Sequence, residues 1–73
     1  MAENAATTTI ELNGASRSIR SGATVRDLVV AELHLVQERV AIELNRELLP
    51  RSQWDRVLTG GDQLEVVTFV GGG

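Results

Sequence analysis

The sequence predicts a small α+β domain in which about five strands form one mixed sheet packed on a single helix. Two observations lead to this fold class. Several short segments alternate apolar and polar residues, the pattern of half-buried strands, and only residues 25–33 repeat their apolar side chains with helical spacing. The chain has 73 residues, which is the size of one domain. The predicted order is β-β-α-β-β-β.

The first two strands are predicted at residues 8–12 and 15–19. Asn13-Gly14 lies between these alternating segments, and an Asn-Gly pair in that position is the strongest short hairpin signal. Residues 1–7 are small and polar, without periodicity, and are predicted to be a disordered lead-in. The folded domain is predicted to span residues 8–70, with a flexible glycine tail at residues 71–73.

The helix is predicted to run from about residue 25 to residue 33. Thr24 precedes it as a good N-cap, and Asp27 follows three residues later as an approximate capping box. Val25, Leu28 and Val29 recur on one helical face. Because β-branched residues lower the intrinsic helix propensity, the helix must gain its stability from packing on the sheet.

The second half of the chain is predicted to complete the sheet. Residues 40–44 and 47–49 form strands joined by an Asn45-Arg46 turn, Ser52 caps one helical turn through Asp55, and residues 63–70 form the last strand. A single amphipathic helix on one mixed sheet in this order is the ubiquitin-like roll, or β-grasp. The order of elements alone is also compatible with other small α+β folds.

The core is predicted to lie between the helix and the sheet. Its members are the apolar residues on the helix face and on one face of each strand. They are Ile10, Leu12, Ile19, Val25, Leu28, Val29, Val40, Ile42, Leu64 and Val66.

The three terminal glycines, Gly71, Gly72 and Gly73, form the sharpest functional pattern. Glycine loses more backbone entropy on ordering than any other residue, so three in succession after a strand are predicted to be mobile. Such a tail can enter a narrow active site and present the carboxylate of Gly73 for adenylation by ATP. A sulfur nucleophile can then displace AMP and leave a thiocarboxylate. A frayed terminus or a cloning remnant is the alternative interpretation.

The composition excludes several classes of function. The chain has no cysteine, which removes disulfides, thiolate metal sites and cysteine nucleophiles, and which fits a reducing compartment such as the cytoplasm. The net charge is −3 and all seven basic residues are arginines without a basic stripe, so we expect no nucleic-acid partner. No apolar segment has the length of a membrane span. No motif indicates a catalytic site or a metal site.

Several segments resemble the thiamine-biosynthesis sulfur carriers, the ThiS family. The resemblance covers about residues 10–73, with TVRDL at 24–28, VAIELN at 40–45, LPRSQW at 49–54, GDQLEVV at 61–67 and then the terminal glycines. The glycine tail and the Gly-Asp turn are shared by sulfur carriers generally, whereas the stretch from Asn45 to Trp54 indicates the thiamine branch. Arg46 is a departure, because the family often has glycine there.

The resemblance implies a protein co-substrate rather than an enzyme, and no bound cofactor. An E1-like adenylating enzyme would activate Gly73 with ATP and Mg²⁺, a donor such as a cysteine desulfurase would supply sulfur, and a thiazole synthase would receive it. Two alternatives stay open. Related carriers serve molybdopterin, cysteine or tRNA thiolation, and a ubiquitin-like modifier or binding module would be of another class.

The positions of five further side chains can be predicted. Val67 and Phe69 are predicted to lie on the open face of the sheet beside the tail, where they either dock a partner or are partly shielded by neighbours. The remaining three are expected to be structural: Trp54 covers the edge of the core, Asp62 organises its turn, and His34 lies on the surface just past the helix.

Overall fold

A computed structural model describes residues 6–69, which form one five-stranded mixed sheet with a short helix packed on one face. The strands are β1 (Thr7–Leu12), β2 (Ala15–Arg20), β3 (Val40–Leu44), β4 (Glu47–Leu49) and β5 (Gln63–Thr68). Their order in the sheet is β2-β1-β5-β3-β4. β1 and β5 are parallel and every other neighbouring pair is antiparallel. This is the predicted β-grasp.

Both hairpins turn through two residues with left-handed backbones. In the β1–β2 turn Asn13 and Gly14 have φ of 50° and 84°, and in the β3–β4 turn Asn45 and Arg46 have φ of 52° and 72°. Two central residues with positive φ match the right-handed twist of the flanking strands. The first turn confirms the Asn-Gly prediction. In the second turn arginine occupies a conformation that favours glycine.

The helix begins as predicted and differs in type after its first turn. The amide of Asp27 donates to the Thr24 hydroxyl at 3.0 Å, and the amide of Thr24 donates to the Asp27 carboxylate at 3.0 Å, so the capping box is complete. Only Val25–Asp27 is α-helical (α1), and Leu28–Glu32 continues as a π-helix. His34, with φ of 56°, follows the end of the helix and is exposed, as expected.

Several predicted boundaries were wrong by one or two residues. β1 begins at Thr7 rather than at residue 8, and β2 extends to Arg20. β5 ends at Thr68, short of the predicted residue 70, although the amide of Phe69 still donates to the carbonyl of Arg39 at 2.8 Å. The short helical turn is a 3₁₀ turn at Arg51–Gln53 without a side-chain cap, so the predicted capping by Ser52 was wrong.

The core lies between the sheet and the helix, and it is larger than predicted. Eight of the ten predicted residues are buried, and Leu12 and Val66 are partly buried against them. Four buried residues were not on the predicted core list: Ala23, Leu44, Trp54 and Leu58. Trp54 is only 1% exposed, which corrects its predicted place at the core edge.

Trp54 belongs to the core because the chain between β4 and β5 passes over the start of the helix. The amide of Arg26 donates to the carbonyl of Trp54 at 2.9 Å, and the amide of Leu58 donates to the carbonyl of Ala23 at 2.8 Å. These bonds hold the crossing segment against the helix N-terminus. The indole nitrogen of Trp54 donates to the carbonyl of Leu49 at 3.2 Å, so its polar atom is satisfied inside.

Candidate functional site

The candidate site is the carboxyl-terminal end of β5, from which the chain continues into its glycine tail. β5 is the central strand of the sheet. It pairs with β3 from Leu64, which lies opposite Leu44, to its last residue, Thr68, which lies opposite Val40. Gly71, Gly72 and Gly73 lie outside the described residues, so their predicted roles stay predictions. The described part of the site consists of β5, the side chains that hydrogen-bond to it, and the surface around its carboxyl-terminal end.

The pairing of β5 with β1 is much shorter than its pairing with β3. Only Glu11↔Gln63 and Leu12↔Leu64 are matched in the parallel ladder, because β1 then turns away into its hairpin. Within the described residues, the second half of β5 therefore has a strand on one side only. Other groups must hold its free side in place.

The side chain of Asn13 takes over where β1 ends. The amide of Val66 donates to Asn13 Oδ1 at 2.7 Å, and Asn13 Nδ2 lies 3.4 Å from the Val66 carbonyl. The backbone amide of Asn13 also donates to the carbonyl of Leu64 at 2.8 Å. One carboxamide thus replaces a pair of ladder hydrogen bonds on β5. Sequence reasoning found Asn13 as a turn residue and missed this second role.

Asn45 holds the start of β5 in the same manner from the other hairpin turn. The amide of Gln63 donates to Asn45 Oδ1 at 2.9 Å, and Asn45 Nδ2 donates to Asp62 Oδ1 at 3.0 Å. The backbone amide of Asn45 donates to the Gln63 carbonyl at 2.7 Å. Two asparagines in two left-handed turns therefore fix the strand that leads to the tail.

Asp62 is a buried carboxylate, 6% exposed, that organises the turn before β5. It accepts hydrogen bonds from the Thr59 amide at 2.8 Å, the Thr59 hydroxyl at 3.2 Å and Arg56 at 3.1 Å, in addition to Asn45. Burial by itself raises the pKa of Asp62, but the hydrogen bonds from Thr59, Asn45 and Arg56 outweigh it and hold the pKa below its ordinary value. The expected structural role is confirmed.

Val67 and Phe69 are both exposed, 52% and 55% respectively, but they line different depressions. Val67 pairs with Ala41 and borders a depression on the open sheet face that also contains Glu43, Leu48 and Glu65. Phe69 borders a second depression, formed with residues of the loop between the helix and β3. The predicted exposure is confirmed, and the predicted single docking patch is divided into two surfaces.

Two further kinds of feature, a metal site and a membrane-spanning helix, are absent from the part of the chain that the structure describes. Among residues 6–69, no three histidine or acidic side chains are grouped closely enough to hold a metal ion. Within the same range, no helix has the length and apolarity required to cross a membrane.

The sequence model of the ThiS family matches residues 8–73, which includes the described sheet, the helix and the glycine tail. The chain belongs to the ThiS family. The crystal structure of the thiamine biosynthesis protein ThiS from Geobacter metallireducens has the same fold. Its TM-score is 0.75 at 30% sequence identity, and the match covers 90% of this chain and 100% of that one.

Two relatives of this ThiS family member are larger proteins named thiazole synthase. The protein from Paramagnetospirillum magneticum is 40% identical over 63 residues, which are 85% of this chain and 19% of the relative. The protein from Magnetococcus marinus is 38% identical over 65 residues, which are 88% of this chain and 20% of the relative. The chain therefore spans about a fifth of the length of these relatives.

Proposed function

We propose that the chain is a sulfur carrier of thiamine biosynthesis, with the carboxylate of Gly73 as the group that carries sulfur. The observation that supports this most strongly is the ThiS family match, which extends through the sheet and the three glycines that follow it. The fold supplies what a carrier needs, since two asparagine side chains fix β5 and residues 70–73 follow directly after the described domain.

The proposed chemistry has two steps, both performed at the active site of other proteins. In the first step the Gly73 carboxylate attacks the α-phosphorus of ATP, assisted by Mg²⁺ on an E1-like adenylating enzyme, and pyrophosphate leaves. In the second step the terminal sulfur of a persulfide on a donor such as a cysteine desulfurase attacks the acyl carbon, and AMP leaves. A thiol then cleaves the S–S bond of the resulting acyl disulfide, which releases the thiocarboxylate and leaves a disulfide on the donor side. The product is a terminal thiocarboxylate. This chain contributes an unhindered acyl group and no catalytic side chain.

We propose a thiazole synthase as the acceptor of the sulfur. The two relatives named thiazole synthase contain a segment like this chain within a longer polypeptide. The joining of such a segment to the rest of a thiazole synthase in one polypeptide supports a physical association of the two. The activating enzyme and the sulfur donor follow from the proposed chemistry.

Phe69 is proposed to contact the adenylating enzyme, because its exposed ring lies four residues before Gly73. Phe69→Ala should weaken binding to that enzyme and leave the free energy of unfolding nearly unchanged. Val67→Ala is the comparison on the open face. Equal affinity of wild type and Phe69→Ala, or unfolding of the variant, would remove Phe69 from the docking surface.

The experiment that tests the function is intact-mass measurement after incubation with the E1-like adenylating enzyme of the same organism, ATP, Mg²⁺ and a sulfur donor. We expect one oxygen to be replaced by sulfur in the wild type. Gly73→Val keeps the length of the tail but crowds the reacting carbon, and deletion of Gly73 shortens it by about 3.3–3.6 Å. Both variants should fold normally and fail to react, because an error of about 1 Å in a reacting geometry can cost on the order of 10²-fold in rate.

Two outcomes would contradict the proposal. If either tail variant is thiocarboxylated at the wild-type rate, Gly73 is not the carrier group. A protein that keeps its activity after one residue is added beyond Gly73 is a binding module, since it does not need a free carboxylate. Sulfur transfer to an acceptor other than thiazole synthase would retain the carrier function and change the pathway.

A further inference from the structure

The depression bordered by Phe69 is lined by a cationic side chain, although the protein as a whole has a net charge of −3. It has a volume of about 360 Å³ and lies between the end of β5 and the loop that follows the helix. Its walls include Val36 and Phe69, which are 57% and 55% exposed. Its polar residues are His34, Arg39 and Thr68, so no carboxylate of residues 6–69 lines it.

Arg39 is the cation of this depression, and within residues 6–69 it has no carboxylate within ion-pairing distance. Four other arginines, Arg17, Arg20, Arg26 and Arg56, each have such a partner. The Arg39 carbonyl accepts the hydrogen bond from the Phe69 amide at 2.8 Å, which holds the backbone of Arg39 beside the last described residue of the chain. An apolar wall and a guanidinium without a carboxylate partner among residues 6–69 thus line the same depression at the end of β5.

The neighbouring depression on the open sheet face has the opposite charge. It measures about 210 Å³, and Glu43 and Glu65 line it as directly paired residues of β3 and β5. Like charges opposite each other on one sheet face repel. The end of β5 therefore separates a negative surface from a positive one.

We propose that the Arg39 depression receives an acidic side chain, with an apolar neighbour, from the adenylating enzyme that takes the C-terminal carboxylate. The inference rests on the proposed function. Gly73 lies only four positions after Phe69, and each residue spans at most about 3.3–3.6 Å, so a protein that binds the terminal carboxylate must lie close to this depression. The exposed Val36 and Phe69 fit an apolar contact, and Arg39 fits a carboxylate.

The proposal makes a prediction opposite to that of the net charge. A chain with a net charge of −3 should on average be attracted to basic partners, and more negative charge should strengthen that attraction. Arg39→Glu adds two negative charges but should weaken docking, because the new carboxylate would meet the acidic side chain of the enzyme.

The test is ATP–pyrophosphate exchange by the E1-like adenylating enzyme of the same organism, with each carrier variant as the varied substrate. Arg51→Glu is the matched control, because Arg51 is exposed and has no ion-pair partner within residues 6–69. This substitution changes the net charge by the same amount as Arg39→Glu. We expect Arg39→Glu to raise KM on the order of tenfold, and Arg39→Gln to raise it less, with kcat unchanged. The difference between Arg39→Glu and Arg51→Glu should shrink at high salt.

Three results of this experiment would contradict the proposal. A KM for Arg39→Glu equal to or below that for Arg51→Glu means that net charge alone steers docking, and the Arg39 surface is then refuted. A fall in kcat with unchanged KM would place Arg39 in the chemical step instead of docking and would also refute it. No exchange with the wild-type chain would refute the proposed function, and this inference with it.

Discussion

Replacement of Asp62 by asparagine tests whether one buried carboxylate holds the start of β5. The carboxylate accepts four hydrogen bonds, from the Thr59 amide and hydroxyl, Asn45 and Arg56. A carboxamide in its place would retain one acceptor oxygen and would point an NH₂ group at donors on its other side. Since hydrogen bonds to a charged group contribute about 1.5–3 kcal/mol and an unsatisfied buried donor costs about 1–3 kcal/mol, we expect Asp62→Asn to lose about 2–3 kcal/mol at neutral pH.

The loss should also depend on pH in a direction set by the pKa. The pKa of Asp62 is lower in the folded chain than its ordinary value, so folding favours the charged form of this carboxylate. Its contribution to stability is fully present above the pKa of the unfolded chain, about 3.9, and is lost as the pH falls through the folded value. The difference between wild type and Asp62→Asn should therefore be largest near neutral pH and shrink below about pH 4.

Urea unfolding followed by the fluorescence of Trp54 measures both effects, because Trp54 is the single tryptophan and is buried. Asp55→Asn is the matched control, since the Asp55 side chain is 78% exposed in its pair with Arg26 and should change stability by less than about 1 kcal/mol. If Asp62→Asn is as stable as Asp55→Asn at neutral pH, or if its deficit does not change on acidification, the carboxylate does not organise this turn.

Three further predictions concern packing and the two hairpin turns. Leu28→Ala should cost about 2–5 kcal/mol, because Leu28 is fully buried, and an unchanged urea midpoint would contradict the core assignment. Asn13→Gly keeps a residue that tolerates the left-handed turn but removes the side-chain bonds to Val66. We expect Asn13→Gly to lower the free energy of unfolding by about 1 kcal/mol and to speed hydrogen exchange of the Val66 amide. Unaltered exchange would show that the Asn13 side chain does not hold Val66. Arg46→Gly should raise the melting temperature and Arg46→Ala should not, since only glycine relieves a φ of 72° without strain; an equal effect of both would show that the turn is unstrained.

The fold was predictable because its local patterns agree with its global arrangement. Asn13-Gly14 predicts the hairpin that forms, and Thr24 and Asp27 predict the capping box that forms. Strand alternation places Ile10, Ile42 and Leu64 on the inner face, where they are buried. Each of these features depends on residues close together in the sequence, so the sequence alone is sufficient to find them.

The features that the sequence did not reveal depend on contacts between distant segments. Trp54 is in the core because residues 54–58 cross the helix N-terminus, and nothing in the periodicity of that segment indicates the crossing. The Asn13–Val66 bonds join residues separated by 53 positions. The predicted docking patch is divided because Phe69 lies beyond the end of β5 and borders the depression next to the loop after the helix, whereas Val67 borders the other depression. Strand ends are the least reliable part of any pattern.

The support of β5 explains how a domain this small can position a short tail. Residues 70–73 span at most about 13–14 Å when fully extended, so under the carrier proposal the surface of the partner that binds the domain and the site that takes the carboxylate must be close together. With so little length to absorb an error, a shift of β5 along its axis would move the carboxylate by a similar amount. Asn45 fixes Gln63 and Asn13 fixes Val66, so register is set at two points on the strand that leads to the tail. The carrier proposal thus assigns a role to side chains that are far from Gly73 in the sequence: they fix the position of the strand from which the tail continues.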